Sequence, residues 1–298
     1  MTQDAFAGRH TQEKLDAIEE YIGKFITVLK RQKYELIYFD AFAGTGEIPV
    51  ANNNEVSLFE IEDVNKIIEG SAERALKYPF DYYYFVEKNE SKFRELFARY
   101  GSLASEKNIQ FLHGDANFHL KNFVEKFDSR RFRAIVFLDP FGNQIPMDTL
   151  KLLASKPGID VWYLFPAGLG VDRQIGKNGE VYFEHEKSLD RLLGDGDWRK
   201  VLITEISEPD LFGENRTTKF KQSDPDEITK YMINKLKDVF EGRVLSDWLP
   251  LGGNNRHWYS LLFMWSNSSE SAKVAERIAK GVLKKSLRIR HKSNGRRK

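Results

Sequence analysis

A chain of 298 residues, 30% charged and 13% aromatic, suits one large α/β domain or two small ones and excludes a disordered class. It has no cysteine, which excludes disulfides, thiolate metal sites, iron–sulfur ligation and a cysteine nucleophile. The net charge of +2 is uneven: the last fifteen residues, KKSLRIRHKSNGRRK, hold eight Lys/Arg and no acid, leaving residues 1–283 near −6.

In chain order, the spacing of Leu15, Ile18, Tyr21, Ile22, Phe25 and Leu29 predicts a helix over 12–31, with Thr11 as its cap. Apolar strand candidates follow at 35–42, 81–88, 108–114, 133–140 and 159–166. Helical patterns at 71–77, 89–100, 117–127 and 147–154 separate most of them. Strands this continuously apolar, alternating with helices, predict a doubly wound, mostly parallel sheet covered on both faces. Residues 167–223 break the pattern and read as an insertion, with short helices near 186–194 and 197–202. A helix near 225–240 follows, then strands at 242–250 and 257–266 around the loop LGGNNR, which suits an antiparallel pair. A last helix over 269–284 precedes a basic tail, 285–298. The expectation is one domain over 1–284: a seven-stranded Rossmann-like sheet with a ligand crevice at the carboxyl ends of its central strands. No run of about 18 apolar residues marks a membrane span. The N-terminus lacks a signal-peptide pattern, so a cytoplasmic location is expected.

Four motifs fall at predicted carboxyl strand ends. The first is DAFAGTG: Asp40 closes a strand, and Gly44 and Gly46 let backbone approach a ligand closely or adopt positive φ. Glu47 and Ile48 stand where a phosphate loop would carry Lys and Ser/Thr, so a cationic ligand fits better than a nucleoside triphosphate. The second is FVEKNE, where Glu87 can accept from two ribose hydroxyls; an inserted loop over 49–70 explains its distance from the glycines. The third is HGDAN, where Asp115 can accept from an adenine amino group. His113 and His119 lie nearby at a spacing that matches no metal site. The fourth is FLDPFG: Asp139, a turn fixed by Pro140, and Phe141 as a stacking face. Each motif also reads as an ordinary turn or strand-end acid. Together and in order they suit S-adenosylmethionine, with Asp139 to Phe141 holding an exocyclic amine.

The segments HTQEKLDAIEEYI, YFDAFAGTGEI, EGSAERAL, FVEKNE, GDAN and FLDPFGNQIP, over about residues 8–166, resemble the three-Cys-motif partner proteins. That resemblance implies a class I methyltransferase-like fold and a separate cysteine-rich partner protein. DAFAGTG also resembles the DxFxGxG loop of DNA methyltransferases, which implies Asp40, Phe42, Gly44 and Gly46 at the cofactor. DPFG resembles the fourth motif of tRNA guanosine-N2 methyltransferases and is related to DPPY, which implies Asp139, Pro140 and Phe141 at the target amine. Phe141 and Gly142 depart from DPPY, which argues against DNA adenine specificity. His10, Thr11 and Lys14 match the family's HTxxK pattern, and Gly70 and Ser71 its GS pair, which implies a helix N-terminus near the cofactor carboxylate.

The expectation is therefore an S-adenosylmethionine-dependent methyltransferase acting on a nucleic-acid base, RNA or DNA, with the basic tail and Arg256 beside Trp258 holding the strand. Two alternatives stand beside it: a non-catalytic cofactor-binding module that docks a cysteine-rich protein, and a metal-dependent nucleic-acid-processing protein.

Overall fold

The structure, a computed structural model, describes residues 9–49, 67–194, 196–209, 215–252, 256–269 and 272–295. Helix α1 (Arg9–Leu29) buries Leu15, Ile18, Tyr21, Ile22 and Phe25 along one face, the stripe its spacing predicts. It already runs at Arg9, so Thr11 lies within its first turn instead of capping it. Strand β1 (Glu35–Asp40) follows, then a short antiparallel ribbon of β2 (Glu47–Pro49) and β3 (Ile67–Glu69). The expected inserted loop lies mostly between these two, outside the described residues.

Helix α2 (Ser71–Leu76), β4 (Tyr82–Glu87), α3 (Glu90–Tyr100), α4 (Ala104–Lys107), β5 (Ile109–His113) and α5 (Ala116–Lys126) come next. Strand β6 (Phe132–Leu138), α6 (Met147–Ala154) and β7 (Ile159–Phe165) complete the five parallel units. The insertion holds a π-turn at Ala167–Val171, helices α7 (Phe183–Leu193) and α8 (Trp198–Leu202), and a hairpin of β8 (Ile203–Pro209) and β9 (Asn215–Lys221). Helix α9 (Pro225–Val239), β10 (Leu249–Leu251), β11 (Tyr259–Trp265) and α10 (Ala272–Gly295) end the fold.

The main sheet has the order β10-β11-β7-β6-β1-β4-β5. The pairs from β7 through β5 are parallel, and β11 runs antiparallel to both its neighbours. Strand order reverses at β1, which lies between β4 and β6 and so opens a crevice at its carboxyl end.

Successive residues of each strand serve opposite faces. Ile37 and Phe39 join Val136, Val161 and Met264 in the core under α5, α6 and α9. Leu36 and Tyr38 join Ile135, Trp162 and Phe263 in the core under α1, α2 and α10. All seven residues of β7 are buried, as a central strand covered on both sides requires. Beneath α1, the Tyr21 hydroxyl donates to Asp160 Oδ2 at 2.6 Å, and burial pushes the Asp160 carboxyl up to about 7.

Two later expectations also differ from the structure. The 242–250 segment forms a strand only at Leu249–Leu251, with one isolated bridge from Val244 to Met264. The predicted boundary between a helix ending at 284 and a tail falls inside α10, which continues to Gly295. Lys285 pairs with Glu20 of α1 at 2.9 Å and Arg290 with Glu13 at 3.3 Å, so the basic segment is held along α1.

Candidate functional site

Three of the four motif carboxylates border the crevice beside the switch point, and the fourth, Asp40, lies beneath it. Asp40 ends β1, Glu87 ends β4, Asp115 caps α5 after β5, and Asp139 follows β6. Parallel pairing brings them together from positions far apart in the chain.

Asp40 sits beneath the glycine loop, fully buried, and does not line the cavity. Its Oδ1 accepts the Phe42 N–H at 3.1 Å. Burial pushes its pKa up to about 7, and the Ser71 side chain and Phe42 amide offset part of that rise. Asp40 thus shapes the loop from below. Glu87 does the same from the side: Oε2 accepts the Gly44 N–H at 3.1 Å and Oε1 the Asn89 N–H at 2.6 Å.

The two loop glycines do different work. Both have positive φ, +61° at Gly44 and +84° at Gly46. A Cβ on Gly46 would lie 2.4 Å from the Tyr100 ring, whereas one on Gly44 would have nothing within 4 Å. Gly46 is fixed by packing. Gly44 faces open space, so its missing side chain leaves room for a ligand at the backbone.

Two adjoining cavities follow from this arrangement. One of about 540 Å³ is lined by Glu87, Asp115, Asn117 and Gln144. The other, of about 730 Å³, is lined by Gly44, Gly46, Ser71, Lys14, Asp139 and Trp258. Phe42, Asn89, Lys92 and Phe141 border both. In the first, Asp115 Oδ1 accepts the Asn117 N–H at 2.9 Å and its Oδ2 lies 3.4 Å from Lys88 Nζ; these contacts hold the Asp115 carboxyl below its ordinary value despite burial.

In the second cavity, Lys14 of α1 reaches across to form an ion pair with Asp139 Oδ2. Lys14 is 9% exposed, and its charge is met by the motif aspartate. Pro140 turns the chain outward, and Phe141 is 58% exposed, its ring 5.4 Å from Lys92 Nζ. Gln144 Oε1 accepts the Phe141 N–H at 3.0 Å and so fixes the turn.

In the same cavity His10 meets Trp258 edge-on at 5.4 Å. Burial and the nearby Lys14 hold the His10 pKa below its ordinary value. Burial, with a contribution from Asp139, pushes the neighbouring Tyr259 up to about 12. Arg173 and Leu169 reach this cavity from the insertion, and Tyr259 from the last strand. Leu169, Arg173 and Tyr259 lie outside the four motifs, and no local pattern marks them. Arg256 is exposed at the surface next to the Trp258 loop.

His113 and His119 make backbone contacts, with Lys88 O and His113 O, each at 3.1 Å. Among the described residues no group of three His, Asp or Glu is placed to hold a metal ion. Among the same residues no helix is long and apolar enough to cross a membrane.

No family model matches the chain, and no curated protein matches it. Several solved structures do. Protein LPL1258 from Legionella pneumophila is 14% identical, over 81% of this chain and 95% of that one, with a TM-score of 0.40. The CcbJ methyltransferase from Streptomyces caelestis is 11% identical, over 84% and 95%, with a TM-score of 0.34. The N-terminal domain of EvdMO1, crystallised with SAH and D-fucose, is 11% identical, over 85% and 81%, with a TM-score of 0.34. At these scores the fold assignment rests on the sheet itself: five parallel strands reversing at the first, with an antiparallel strand between the fifth and the edge strand. This is the Rossmann-like class I methyltransferase fold. In it the glycine loop follows the first strand, at the switch point, and the Asp-Pro-Phe turn follows the adjacent β6.

Proposed function

We propose that this protein is an S-adenosylmethionine-dependent methyltransferase that methylates an exocyclic amine of a nucleic-acid base. The observation that carries the reading is the Asp139–Pro140–Phe141 turn, which borders the same cavity as the open backbone at Gly44.

The residues present fit the cofactor. Gly44 leaves room at its backbone, Glu87 and Asp115 offer acceptors in the adjoining cavity, and Phe42 borders both. Glu87 would take the ribose hydroxyls with its remaining lone pairs, and Asp115 would face the adenine side. Ser71 and the Gly44–Gly46 backbone would hold the amino-acid end. Asp40 would act from beneath, by keeping the loop in its open shape. When bound, the cofactor supplies a methyl group on a cationic sulfur that leaves with its bonding electron pair once a nitrogen attacks.

The chain's own work is positioning. Asp139 accepts an N–H of the amine, which turns the nitrogen lone pair out of ring conjugation and toward the methyl carbon. Lys14 holds one Asp139 oxygen, so the carboxylate keeps one orientation while its other oxygen receives the amine. Phe141 presents an exposed face on which a planar base stacks, and Trp258 lines the same cavity. The proton shed after attack passes to Asp139 or to water.

The test is calorimetric titration with S-adenosylmethionine and S-adenosylhomocysteine, followed by transfer of labelled methyl to total RNA and DNA. D139N is expected to bind both ligands like wild type and to transfer no methyl. Absence of binding to the folded protein would refute the reading. The resemblance to three-Cys-motif partners makes a cysteine-rich protein a candidate partner. Binding without transfer, restored by adding such a protein, would assign it that role.

A further inference from the structure

Two sets of cations stand out among the described side chains of α10. Lys285 and Arg290 are consumed by structure: Lys285 pairs with Glu20, and Arg290 contacts both Glu13 and the Pro250 carbonyl. These ties run antiparallel, the later residue of α10 meeting the earlier residue of α1. The carboxyl half of α10 is therefore drawn toward the amino end of α1, where His10, Thr11 and Lys14 line the larger cavity.

The second set is Arg277, Lys280, Lys284 and Arg288, all exposed. Their spacing of three, four and four residues puts them on one helical face. Among the described residues none of Arg277, Lys280, Lys284 and Arg288 forms an ion pair. The opposite face is occupied: Ala279, Val282 and Leu283 are fully buried against the core. Ile289 is the one large apolar side chain exposed among the described residues of α10. A helix whose apolar face is already buried has nothing to insert into a bilayer, which disfavours a membrane surface as its partner.

We propose that this row is a phosphate-backbone track that guides a nucleic-acid strand to the cavity mouth at His10 and Trp258. The inference rests on the nucleic-acid reading above and adds which surface holds the strand. From Arg277 to Arg288 the row spans about 16 Å at 1.5 Å per residue. A duplex presents about five phosphates per strand over that length, comparable to the four cations in the row. The contacts would be to phosphates and would carry no sequence preference, leaving selection of the base to Phe141, Asp139 and Trp258.

The experiment compares wild type with a variant in which Arg277, Lys280, Lys284 and Arg288 are all changed to Gln. Fluorescence anisotropy reads binding of a 24-nucleotide RNA, single-stranded and as a duplex, from 50 to 300 mM salt. Vesicles with 30% anionic lipid form a parallel arm. Circular dichroism and S-adenosylhomocysteine titration confirm that the variant keeps its fold and cofactor site. Wild type is expected to bind RNA with a steep salt dependence. In the variant the slope of log K against log salt should fall by about three, as the loss of four phosphate contacts requires, with more than about tenfold weaker binding at low salt. Equal RNA binding by wild type and variant, with the cofactor site intact, would overturn the track and leave the methyltransferase reading standing. Vesicle binding that depends on the row, without RNA binding, would also overturn it. RNA binding through the row in a protein that binds no S-adenosylhomocysteine would uphold the track and remove the methyltransferase reading.

Discussion

Gly44→Ala and Gly46→Ala look equivalent in the sequence and should behave oppositely. Both residues have positive φ, so alanine at either costs roughly 1–2 kcal/mol of backbone strain. At Gly44 that is the whole cost, because a Cβ there meets nothing within 4 Å. At Gly46 the Cβ would sit 2.4 Å from Tyr100 Cε2, and Tyr100 is buried under the loop. Moving that ring adds an overpacking cost of about 1–3 kcal/mol, giving about 2–5 kcal/mol in all. In a chain of this size each kcal/mol lowers the melting temperature by about 2 °C. Gly44→Ala should therefore melt about 2–4 °C below wild type, and Gly46→Ala about 4–10 °C below.

Affinity should give the reverse order. The Gly44→Ala methyl stands in the space left for the ligand, so S-adenosylhomocysteine binding should weaken more than tenfold in a nearly wild-type fold. Differential scanning calorimetry and isothermal titration on the same samples read both quantities. Wild-type affinity in Gly44→Ala would refute the assignment of that backbone to the cofactor. Equal melting of the two variants would refute the role given to Tyr100.

Three further outcomes follow from the same geometry. The Lys14–Asp139 pair should appear in a double-mutant cycle: K14M and D139N each cost about 1–3 kcal/mol in urea unfolding, and together at least about 1 kcal/mol less than their sum; strict additivity would mean the pair is not coupled. For Asp160, raised to about 7 in the fold against about 3.9 unfolded, the folded state alone binds the proton between those values. Its contribution to stability then falls as pH rises from about 4 to about 7, by up to ~1.4 kcal/mol per pH unit, and is flat above. D160N lacks that slope, so its stability relative to wild type should rise between pH 5 and 7.5, and a constant difference would refute burial as the cause. Phe141→Ala should leave the melting temperature within about 1 °C, since the ring is 58% exposed, while methyl transfer to nucleic acid falls at least tenfold; unchanged transfer would remove the stacking role.

The strands that enter the parallel sheet were legible because burial on both faces leaves an apolar run that no other element produces at that length. Strands β1, β4, β5, β6 and β7 fall within two residues of their expected ends. The hairpin β8–β9 was not legible: Ile203–Pro209 and Asn215–Lys221 interleave charged and polar residues, and most of their described side chains are exposed. The end of α10 at Gly295 differs from its sequence reading because its partners lie far off in the chain. KKSLRIRHK reads as a solvated tail until Glu13 and Glu20 of α1, more than 260 residues earlier, are seen to meet Arg290 and Lys285.

The sequence by itself determined the kinds of chemistry at the site. Asp40, Glu87, Asp115 and Asp139 had to cluster once the strands paired in parallel, because strand ends on one edge of a sheet converge whatever lies between them. Which of them borders open space was decided only by tertiary structure. Asp40 is buried beneath its loop, while Asp139 is pinned by a lysine from a helix 125 residues away. Gly44 and Gly46 differ by the presence of one tyrosine ring from α3. A residue type fixes what an atom can donate or accept; only packing between distant segments fixes whether that atom meets protein or open space.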